Sequence, residues 1–406
     1  MGFDTLNKQV IIAGGGAAGF FTAINCAIKN PGYHITILER TSTVLNKVKI
    51  SGGGRCNVTH ACFDPKELVK FYPRGEKQLL GPFNRFNPTN TIQWFADRGV
   101  KIKREADGRM FPVTDNSQTI IDCFMAEVKR LGINVKYSTG VNNLIPVNNS
   151  WEVHTTNGQI IKADVVVVTA GSSHGVWDTL KQLGHTIVPP VPSLFTFNIK
   201  DERIKGLEGL SVPQAQVTVV NTKLQASGPL LITHWGMSGP AILRLSAWGA
   251  RGLSAINHHF EIEVNWISGD LNNVKETIKQ YKQNHPKKGV TTTPLFDIPK
   301  RLWERITAQH ITKPGTNYAD LSNSVIDALA AEITRARYKV AGKSTNKDEF
   351  VTAGGVDLAE IDFRTMQSKK HGNLYFAGEV LDIDAITGGF NFQAAWTTAY
   401  IASQTI

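Results

Sequence analysis

A glycine-rich turn between a buried strand and a helix constrains this chain more than any other feature. Gly14, Gly16 and Gly19 form the pattern G-x-G-x-x-G between the apolar run Gln9–Ala13 and the helical stretch Phe20–Lys29. In such a unit the first glycine permits the turn, the second lets a pyrophosphate approach the backbone, and the third lets the helix pack closely. The pattern alone is weak evidence, because an ordinary glycine-rich turn also satisfies it.

An acidic residue at the end of the next strand strengthens this interpretation. Glu39 follows the predicted strand His34–Leu38 and stands 20 residues after Gly19. A carboxylate at this position binds the ribose hydroxyls of a dinucleotide. The predicted contacts in this β-α-β unit are Gly14, Gly16, Ala17, Ala18, Gly19, Glu39 and Arg40.

Two later segments favour FAD over a separate NAD domain. The apolar strand 164–168 precedes Ala170 and Gly171, and the strand 373–377 precedes Gly378 and Glu379, whose carboxylate suits ribityl hydroxyls. Contacts near positions 14, 170 and 378 indicate one extended cofactor touched by both ends of the chain, as in FAD enzymes of the glutathione-reductase-like type. A simple turn remains the alternative for Gly378 and Glu379. No second G-x-G-x-x-G occurs in the sequence.

Four sequence blocks resemble the BaiN/RdsA (YhiN-like) flavoprotein family. They are Lys47–Asn57 (K-V-K-I-S-G-G-G-R-C-N), Gly108–Pro112, Thr233–Pro240 and Gly378–Gln393. The blocks span nearly the whole chain and follow the order of the family. The resemblance implies an FAD-dependent oxidoreductase that uses NAD(P)H to reduce a conjugated C=C bond. Substrate classes proposed for members are bile-acid-type enones and a uridine of ribosomal RNA.

The chain departs from the family at two positions. Ala385 stands where the family usually has Gly, and Phe390 stands where it usually has Tyr. Both lie in the loop expected beside the flavin, so the substrate is left open.

The residue types of these blocks suit a bound flavin. The run Ser51–Asn57 offers backbone N–H groups, a hydroxyl, a guanidinium and an amide in what we interpret as a loop too glycine-rich to pack as a regular element. The helix after Gly389 can direct its N-terminus at the flavin pyrimidine and stabilise negative charge there. The predicted contacts are Lys47, Ser51, Gly52, Gly53, Gly54, Arg55, Cys56, Asn57, Asp382, Thr387, Gly388, Gly389, Phe390 and Asn391.

Two side chains are candidate catalytic groups. His234, in a turn rich in Gly, Ser and Pro, can donate a proton across the flavin, but a structural histidine fits equally well. Lys47 can stabilise charge on the reduced ring, and a solvated surface lysine is its alternative. Cys56 stands next to Arg55, which can lower a thiol pKa. We favour a packing or cofactor-contact role for Cys56, because no resolving cysteine is evident.

The charge of the chain favours an anionic partner. The net charge is +10, and residues 66–109 and 270–350 each carry an excess of five basic side chains. RNA, a phosphorylated substrate or plain solubility can each account for this surplus. The partner is therefore predicted to be a small molecule or RNA, and the oligomeric state is left open.

Length, hydropathy and cysteine usage bound the remaining possibilities. A chain of 406 residues suits two or three domains. No apolar run approaches 18 residues and the first one is short, so we predict a cytoplasmic protein without a membrane span or secretory signal. The four cysteines have no metal-ligand spacing, so we predict reduced thiols and no metal site.

The expected fold class is α/β, a glutathione-reductase-like FAD-binding Rossmann fold with an inserted β-barrel-like and helical region. The FAD domain is predicted from residues 1–190 and 350–406. The β-barrel-like insert is predicted from 191–268 and 336–349, and the helical insert from 269–335. Within this scheme we expect residues 133–168 to form a small β-meander that ends in the apolar strand 164–168, and residues 193–265 to alternate as strands do. The active site is expected where the flavin meets the insert.

Two other functions remain open from the sequence. One is a flavin-dependent oxidase that passes electrons from a small amine to oxygen. The other is a non-catalytic RNA-binding or redox-sensing flavoprotein. Turnover with NAD(P)H would argue against the second, and hydrogen peroxide production with amines would favour the first.

Overall fold

The computed structural model describes residues 7–344 and 351–406. These residues divide into two compact units. The first unit comprises 7–191 together with 351–406, so it contains both ends of the chain. The second unit comprises 192–344.

Both units mix strands and helices. The strands are β1 (Gln9–Ala13), β2 (His34–Leu38), β3 (Thr59–His60), β4 (Ile102–Arg104), β5 (Arg109–Pro112), β6 (Asn134–Lys136), β7 (Val141–Val147), β8 (Ser150–Thr155), β9 (Ile160–Ala163), β10 (Val165–Val168), β11 (Ile187–Pro192), β12 (Thr196–Asn198), β13 (Ser211–Val219), β14 (Gln225–Thr233), β15 (Gly236–Ser238), β16 (His259–Asn265), β17 (Ala336–Ala341), β18 (Lys343–Ser344), β19 (Thr352–Val356), β20 (Ile361–Asp362), β21 (Gln367–Ser368) and β22 (Leu374–Phe376). The helices are α1 (Ala17–Lys29), α2 (Asn46–Gly54), α3 (Pro65–Leu68), α4 (Glu76–Arg85), α5 (Pro88–Ala96), α6 (Gln118–Arg130), α7 (His174–Gln182), α8 (Pro240–Ala255), α9 (Leu271–Asn284), α10 (Lys300–Ala308), α11 (Asn323–Arg335) and α12 (Phe390–Ser403).

A seven-stranded sheet organises the first unit, in the order β20-β21-β22-β10-β1-β2-β6. The five strands from β22 to β6 are parallel, and β20 and β21 add an antiparallel edge. All four valines of β10 are buried, as expected for a central parallel strand covered on both faces. Helices α1 and α12 pack against each other. This sheet confirms the predicted Rossmann fold class.

One predicted strand belongs to a different sheet from the one expected. The segment Ile133–Tyr137 was expected in a small meander, but β6 pairs in parallel with β2 at the edge of the main sheet. The meander contains only β7, β8 and β9. The prediction was wrong because neighbours in sequence were assumed to pair, whereas α6 carries the chain back to a parallel position beside β2.

The second unit is built on another seven-stranded sheet, in the order β17-β16-β13-β14-β15-β12-β18. Only Gly342 separates β17 from β18 in the sequence, yet these strands end the two sides of the order. The sheet therefore curls round towards closure, as in a barrel. Apolar side chains from the sheet and from α8 to α11 share one hydrophobic core.

The strand prediction for 193–265 overlooked a helix. Residues 240–255 form α8, which has Pro240 as its first residue and buries Ile242, Leu245 and Leu253. Gly239 and Pro240 look like a turn in the sequence, but proline is well suited to the first helical position because its missing N–H would be unpaired there. Buried residues recur every four positions at Ala241, Leu245, Gly249 and Leu253, and this spacing was the signal that could have identified the helix.

The described residues contain neither a membrane-spanning helix nor a cluster of metal-ligating side chains. Across 7–344 and 351–406, none of the helices has the length and hydropathy needed to cross a bilayer. In the same residues, no group of three or more His, Cys, Asp or Glu side chains has an arrangement able to hold a metal ion.

Candidate functional site

The first glycine-rich turn is held by contacts that only glycine permits. Gly14 has a φ of +125°, and a Cβ there would lie 2.6 Å from the carbonyl oxygen of Thr169. A Cβ on Gly19 would lie 2.0 Å from the Gly14 carbonyl oxygen. The Thr169 hydroxyl also donates to that oxygen at 2.9 Å. The turn therefore locks β1, α1 and the loop after β10 together.

Gly16 differs from its two neighbours in the motif. It is the N-cap of α1, with φ −90° and ψ −170°, an extended conformation open to any residue. A Cβ on Gly16 would meet nothing within 4 Å. Neither backbone strain nor packing within the protein explains a glycine here. The missing side chain leaves space at the N-terminus of α1, where an anionic group is favoured.

Glu39 is tied to the same turn. One of its carboxylate oxygens accepts a hydrogen bond from the Gly15 N–H at 2.9 Å. The other accepts from the N–H and hydroxyl of Thr41, each at 2.8 Å. The carboxylate is thus held at the end of β2 and is only partly buried, whereas the neighbouring Arg40 is exposed.

Three predicted segments that are far apart in the sequence meet beside this turn. Lys47, on α2, forms an ion pair with Glu379. A Cβ on Gly171 would lie 3.6 Å from the Glu379 carboxylate, and the Thr352 N–H donates to that carboxylate at 3.1 Å. The Thr352 hydroxyl is buried and has no hydrogen-bond partner among the residues that the structure describes. Lys47 is therefore a partner of Glu379, and its side chain is still about half exposed.

The run predicted as an irregular loop, Ser51–Asn57, starts where helix α2 loses its helical geometry. Helix α2 starts at Asn46, and the backbone leaves helical geometry at Ser51, Gly52 and Gly53. Gly53 and Gly54 have positive φ, and a Cβ on either would meet nothing within 4 Å. The irregular backbone from Ser51 to Gly54 agrees with the loop predicted for this run.

Cys56 is buried within the protein, whereas the neighbouring Arg55 pairs with acidic side chains. Burial raises the pKa of the Cys56 thiol to about 12. A thiol with this pKa is protonated near neutrality and is a poor nucleophile. The Arg55 guanidinium lies 2.6 Å from Glu105 and 3.5 Å from Asp115. It also covers the ring of Phe111 at 3.9 Å. Arg55 therefore already has partners within the protein.

Asn57 joins the second glycine block to the last one. With its amide nitrogen directed at the carbonyl oxygen of Thr59, its side-chain oxygen accepts from the Gly389 N–H at 3.0 Å. Gly389 has a φ of +94°, and a Cβ there would lie 2.5 Å from the Thr59 carbonyl oxygen. This residue is the N-cap of α12. The start of α12 is therefore fixed directly against the strand that follows Asn57.

An aromatic stack that the sequence did not predict lies beside this junction. Phe390 packs against both His60 and Phe71, with ring centroids 4.5 Å and 4.4 Å away, and those two rings lie 6.1 Å from each other. His60 Nδ1 lies 3.0 Å from the Gly388 carbonyl oxygen. Burial lowers the pKa of His60, so the neutral ring donates this hydrogen bond from Nδ1 near pH 7. The position of His60, three residues after the S-G-G-G-R-C-N run, was the only sequence signal for it.

The last loop is braced from two sides. Asn391 accepts from the Ala385 N–H at 2.9 Å and donates to the Ala385 carbonyl oxygen at 3.1 Å. Asp384 is fully buried and forms an ion pair with Arg74. This loop is therefore fixed by side chains whose roles the sequence did not indicate.

The other predicted contacts surround the same junction. A Cβ on Gly378 would lie 2.9 Å from the Ala18 side chain, which places β22 against the start of α1. Ala17 is partly buried, Asp382 is buried and Thr387 is exposed. The structure thus brings the predicted segments near 14, 39, 47, 57, 171, 379 and 389 together within the first unit.

His234 belongs to the second unit. It is exposed in the two-residue turn between β14 and β15. Its proposed role as a proton donor stays a prediction.

The family model that matches the chain is described as "HI0933-like protein Rossmann domain" and covers residues 8–405. The ribosomal RNA dihydrouridine synthase of Haemophilus influenzae is 29% identical over 98% of both chains. The 3-dehydro-bile acid delta(4,6)-reductase of Clostridium scindens is 24% identical over 98% of both chains. A solved 3-ketosteroid delta1-dehydrogenase from Sterolibacterium denitrificans is 10% identical, with a TM-score of 0.51 over 98% of this chain and 99% of that chain.

The names of the bile-acid relative and of the structural neighbour are those of a reductase and a dehydrogenase, in agreement with the oxidoreductase class predicted from the motifs. The likeness in structure concerns the fold, while the sequence matches extend over nearly the whole chain. The family predicted from the four sequence blocks is confirmed, and the chain belongs to the HI0933-like family of Rossmann-domain proteins.

Proposed function

We propose that this protein is an FAD-dependent oxidoreductase that reduces a conjugated carbon–carbon double bond, with a uracil base in RNA as its substrate and NAD(P)H as its electron donor. The strongest support is that the predicted cofactor segments meet at glycines such as Gly16, which neither backbone strain nor packing within the protein explains. A bound pyrophosphate would explain this glycine directly, because the phosphate oxygens must approach the backbone closely.

The side chains around this site fit the successive parts of FAD. Glu39 would accept hydrogen bonds from the adenosine ribose, and the N-terminus of α1 would face the pyrophosphate. Glu379 and the buried Thr352 hydroxyl, which has no partner among the described residues, would bind the ribityl hydroxyls. The N-terminus of α12, at Gly389, would face the pyrimidine end of the ring.

Bound FAD would supply hydride transfer between the electron donor and the substrate. The chain would supply charge and position. The N-terminus of α12 would place positive potential where a reduced flavin carries negative charge, and Lys47 would hold its partner Glu379 in position. Neutral His60 fixes the Gly388 carbonyl group, and so fixes the loop beside the ring. Cys56 takes no part as a thiolate, because its pKa is raised to about 12.

The choice of RNA over a small enone rests on charge and on relatives. The chain carries a net charge of +10, and a relative that matches over nearly its full length is named as a ribosomal RNA dihydrouridine synthase. Uracil contains a conjugated C5=C6 bond, so its reduction belongs to the same reaction class as the reduction named for the bile-acid enzyme. A base that reacts with a flavin must first leave its stack.

The experiment is an anaerobic titration of the purified protein with NADPH, followed by incubation with a uridine-containing single-stranded RNA. We expect a yellow protein whose flavin absorbance bleaches with NADPH and returns on addition of the RNA, together with a mass gain of about 2 Da per reduced uridine, the mass of two hydrogens added at the flavin step. Gly16→Ala is the cofactor-binding variant and Gly175→Ala is its control. A Cβ on either glycine meets open space, but Gly175 lies within α7.

The outcomes separate the parts of the proposal. A protein that fails to bind added FAD would refute it altogether. Reoxidation by an enone but not by RNA would contradict the substrate. Peroxide formation with amines, without bleaching by NADPH, would indicate an oxidase in its place.

A further inference from the structure

The most exposed of the large apolar side chains in the described residues belongs to Trp235, which is 65% exposed. Six of the eight tryptophans are buried, and Trp248 is the other exposed one. Trp235 and His234 are the two residues of the hairpin turn between β14 and β15. Single exposed apolar side chains are ordinary on a surface. The way in which this turn is held distinguishes Trp235 from such cases.

The backbone of the turn is locked. The Trp235 carbonyl oxygen accepts from the Ile199 N–H at 2.9 Å, and the Trp235 N–H donates to the Thr233 hydroxyl at 3.3 Å. Gly236 has a φ of +143°, and a Cβ there would lie 2.3 Å from the Phe197 carbonyl oxygen. The turn therefore presents a rigid indole to solvent, which lowers the entropy lost when a planar ligand stacks on it.

The surroundings of the turn are basic. The strand that leads into it bonds to the neighbouring loop through Gly209, whose N–H donates to the Ile232 carbonyl oxygen at 2.9 Å. Arg301, on α10, donates to the Gly206 carbonyl oxygen in the same loop. The Arg305 guanidinium lies 3.7 Å from where a Cβ on Gly206 would stand. Both arginines are exposed.

Acidic residues are scarce on this side of the unit. Residues 209–260 contain no Asp or Glu. The pKa of Glu208 is lowered mainly by hydrogen bonds from its own N–H and from the Gly206 N–H. The nearby His234 and Arg301 lower it further. Glu304 lies 4.0 Å from Lys300. The three basic side chains Lys300, Arg301 and Arg305 therefore outnumber these two carboxylates by one.

We propose that the His234–Trp235 turn is a stacking platform for an unpaired base of single-stranded RNA, with Arg301 and Arg305 binding the adjoining phosphates. The inference rests on the proposed function for its choice of RNA as the polyanion. An exposed, rigid aromatic ring beside arginines is the combination that single-stranded nucleic acids require, because the ring stacks on any base and the arginines neutralise the backbone. An acidic protein surface would use the arginines but not the indole face.

The test measures the binding of a labelled, uridine-rich hexaribonucleotide to the holoprotein by fluorescence anisotropy, at several salt concentrations. We expect Trp235→Ala to raise Kd about tenfold, which is within the range of one base stack. Trp235→Phe should retain most of the affinity, because phenylalanine also offers an aromatic face. Trp248→Ala is the matched control and should bind as the unchanged protein does.

The salt dependence separates stacking from charge. Arg305→Gln should reduce the slope of log K against log salt concentration by about 0.7, the contribution of one phosphate contact to a single strand. Trp235→Ala should weaken binding without changing that slope. Lys223→Gln is the charge control, because Lys223 is exposed in the turn at the opposite end of β14.

Several results would overturn the platform. They are unchanged affinity in Trp235→Ala, an equal loss in Trp248→Ala, or Trp235-dependent binding to vesicles of anionic lipid without binding to RNA. Failure of the proposed function looks different. Trp235-dependent RNA binding without any dihydrouridine would refute uracil reduction and leave the platform standing. Uracil reduction with an unchanged KM for the RNA in Trp235→Ala would refute the platform alone.

Discussion

Two tight turns of this molecule are locked in the same way and present different chemistry. The turn at 14–19 in the first unit and the turn at 233–236 in the second each contain a glycine whose Cβ would lie within 2.3 Å of a backbone oxygen. The first turn leaves Gly16 bare, so it exposes backbone N–H groups. The second carries His234 and Trp235, so it exposes side chains. A bare backbone suits a phosphate, and an exposed indole suits a planar base.

The largest expected loss of stability in the first unit follows from a substitution at Asp384. Asp384→Asn removes the carboxylate charge from a buried ion pair with Arg74. Breaking such a pair costs about 4 kcal/mol. Urea unfolding of the apoprotein should show this loss of stability in the first unit. A loss below about 0.5 kcal/mol, typical of a surface change, would show that the loop is braced by other contacts.

The two locking glycines test whether the turns are equivalent. Gly19→Ala and Gly236→Ala should each cost about 3 kcal/mol, because the added methyl group forces backbone movement in a packed region. Gly236→Ala adds the strain of a positive φ. Thermal unfolding measures both. If one substitution is tolerated and the other is not, the comparison between the turns fails.

The prediction for pH dependence concerns Glu360 in the first unit. Hydrogen bonds from Lys370, Thr186 and His185 outweigh burial and lower the pKa of Glu360 from 4.5 to about 2. The folded state therefore binds this proton less tightly than the unfolded state does. The stabilisation is fully present above about pH 5 and is lost as the pH falls towards 2, with a loss of about 2 kcal/mol between pH 7 and pH 3.

A neighbouring histidine acts in the same direction. Burial lowers the pKa of His185, whose Nδ1 lies 2.8 Å from Glu360, so acid also destabilises the fold through this ring. Glu360→Gln should flatten the dependence of unfolding free energy on pH in the acid range. An equally steep profile in this variant would assign the dependence to other groups.

The smallest expected change in stability, at Gly16, gives the sharpest test of the comparison between the two turns. Gly16→Ala should leave the stability of the apoprotein within about 0.5 kcal/mol, because its methyl group meets only open space. The same methyl group should raise the Kd for FAD about tenfold by blocking the pyrophosphate. RNA affinity should not change. Equal FAD affinity in Gly16→Ala and Gly175→Ala would contradict a phosphate site at this turn.

The sequence was most informative where one residue type has one local consequence. Gly14 and Gly19 predicted the turn because neither position accepts a side chain. Gly19 is restricted by Gly14 in its own β-α-β unit, and Gly14 by Thr169 after β10. Glu39 was equally readable, because it ends a strand at a fixed distance from the turn. The valines of β10 identified an apolar strand through composition alone, while its parallel pairing was seen only in the structure.

The sequence was least informative where partners come from distant segments. Nothing near Arg55 predicts that Glu105 and Asp115 will bind its guanidinium. The stack of His60 and Phe71 on Phe390 joins three segments with no shared pattern. Helix α8 was missed for a different reason, since its first residues resemble a turn until the spacing of its buried side chains is considered.

The position of β22 has a consequence for how the chain acquires its cofactor during synthesis. This strand, at Leu374–Phe376, pairs with β10 inside the main sheet, and α12 packs on α1. A growing chain therefore lacks an inner strand and a covering helix of its nucleotide-binding unit until residues 374–403 have been made. The second unit is a continuous segment that precedes them, so it can fold earlier. The site proposed for FAD is accordingly completed by segments that are made after the middle of the chain.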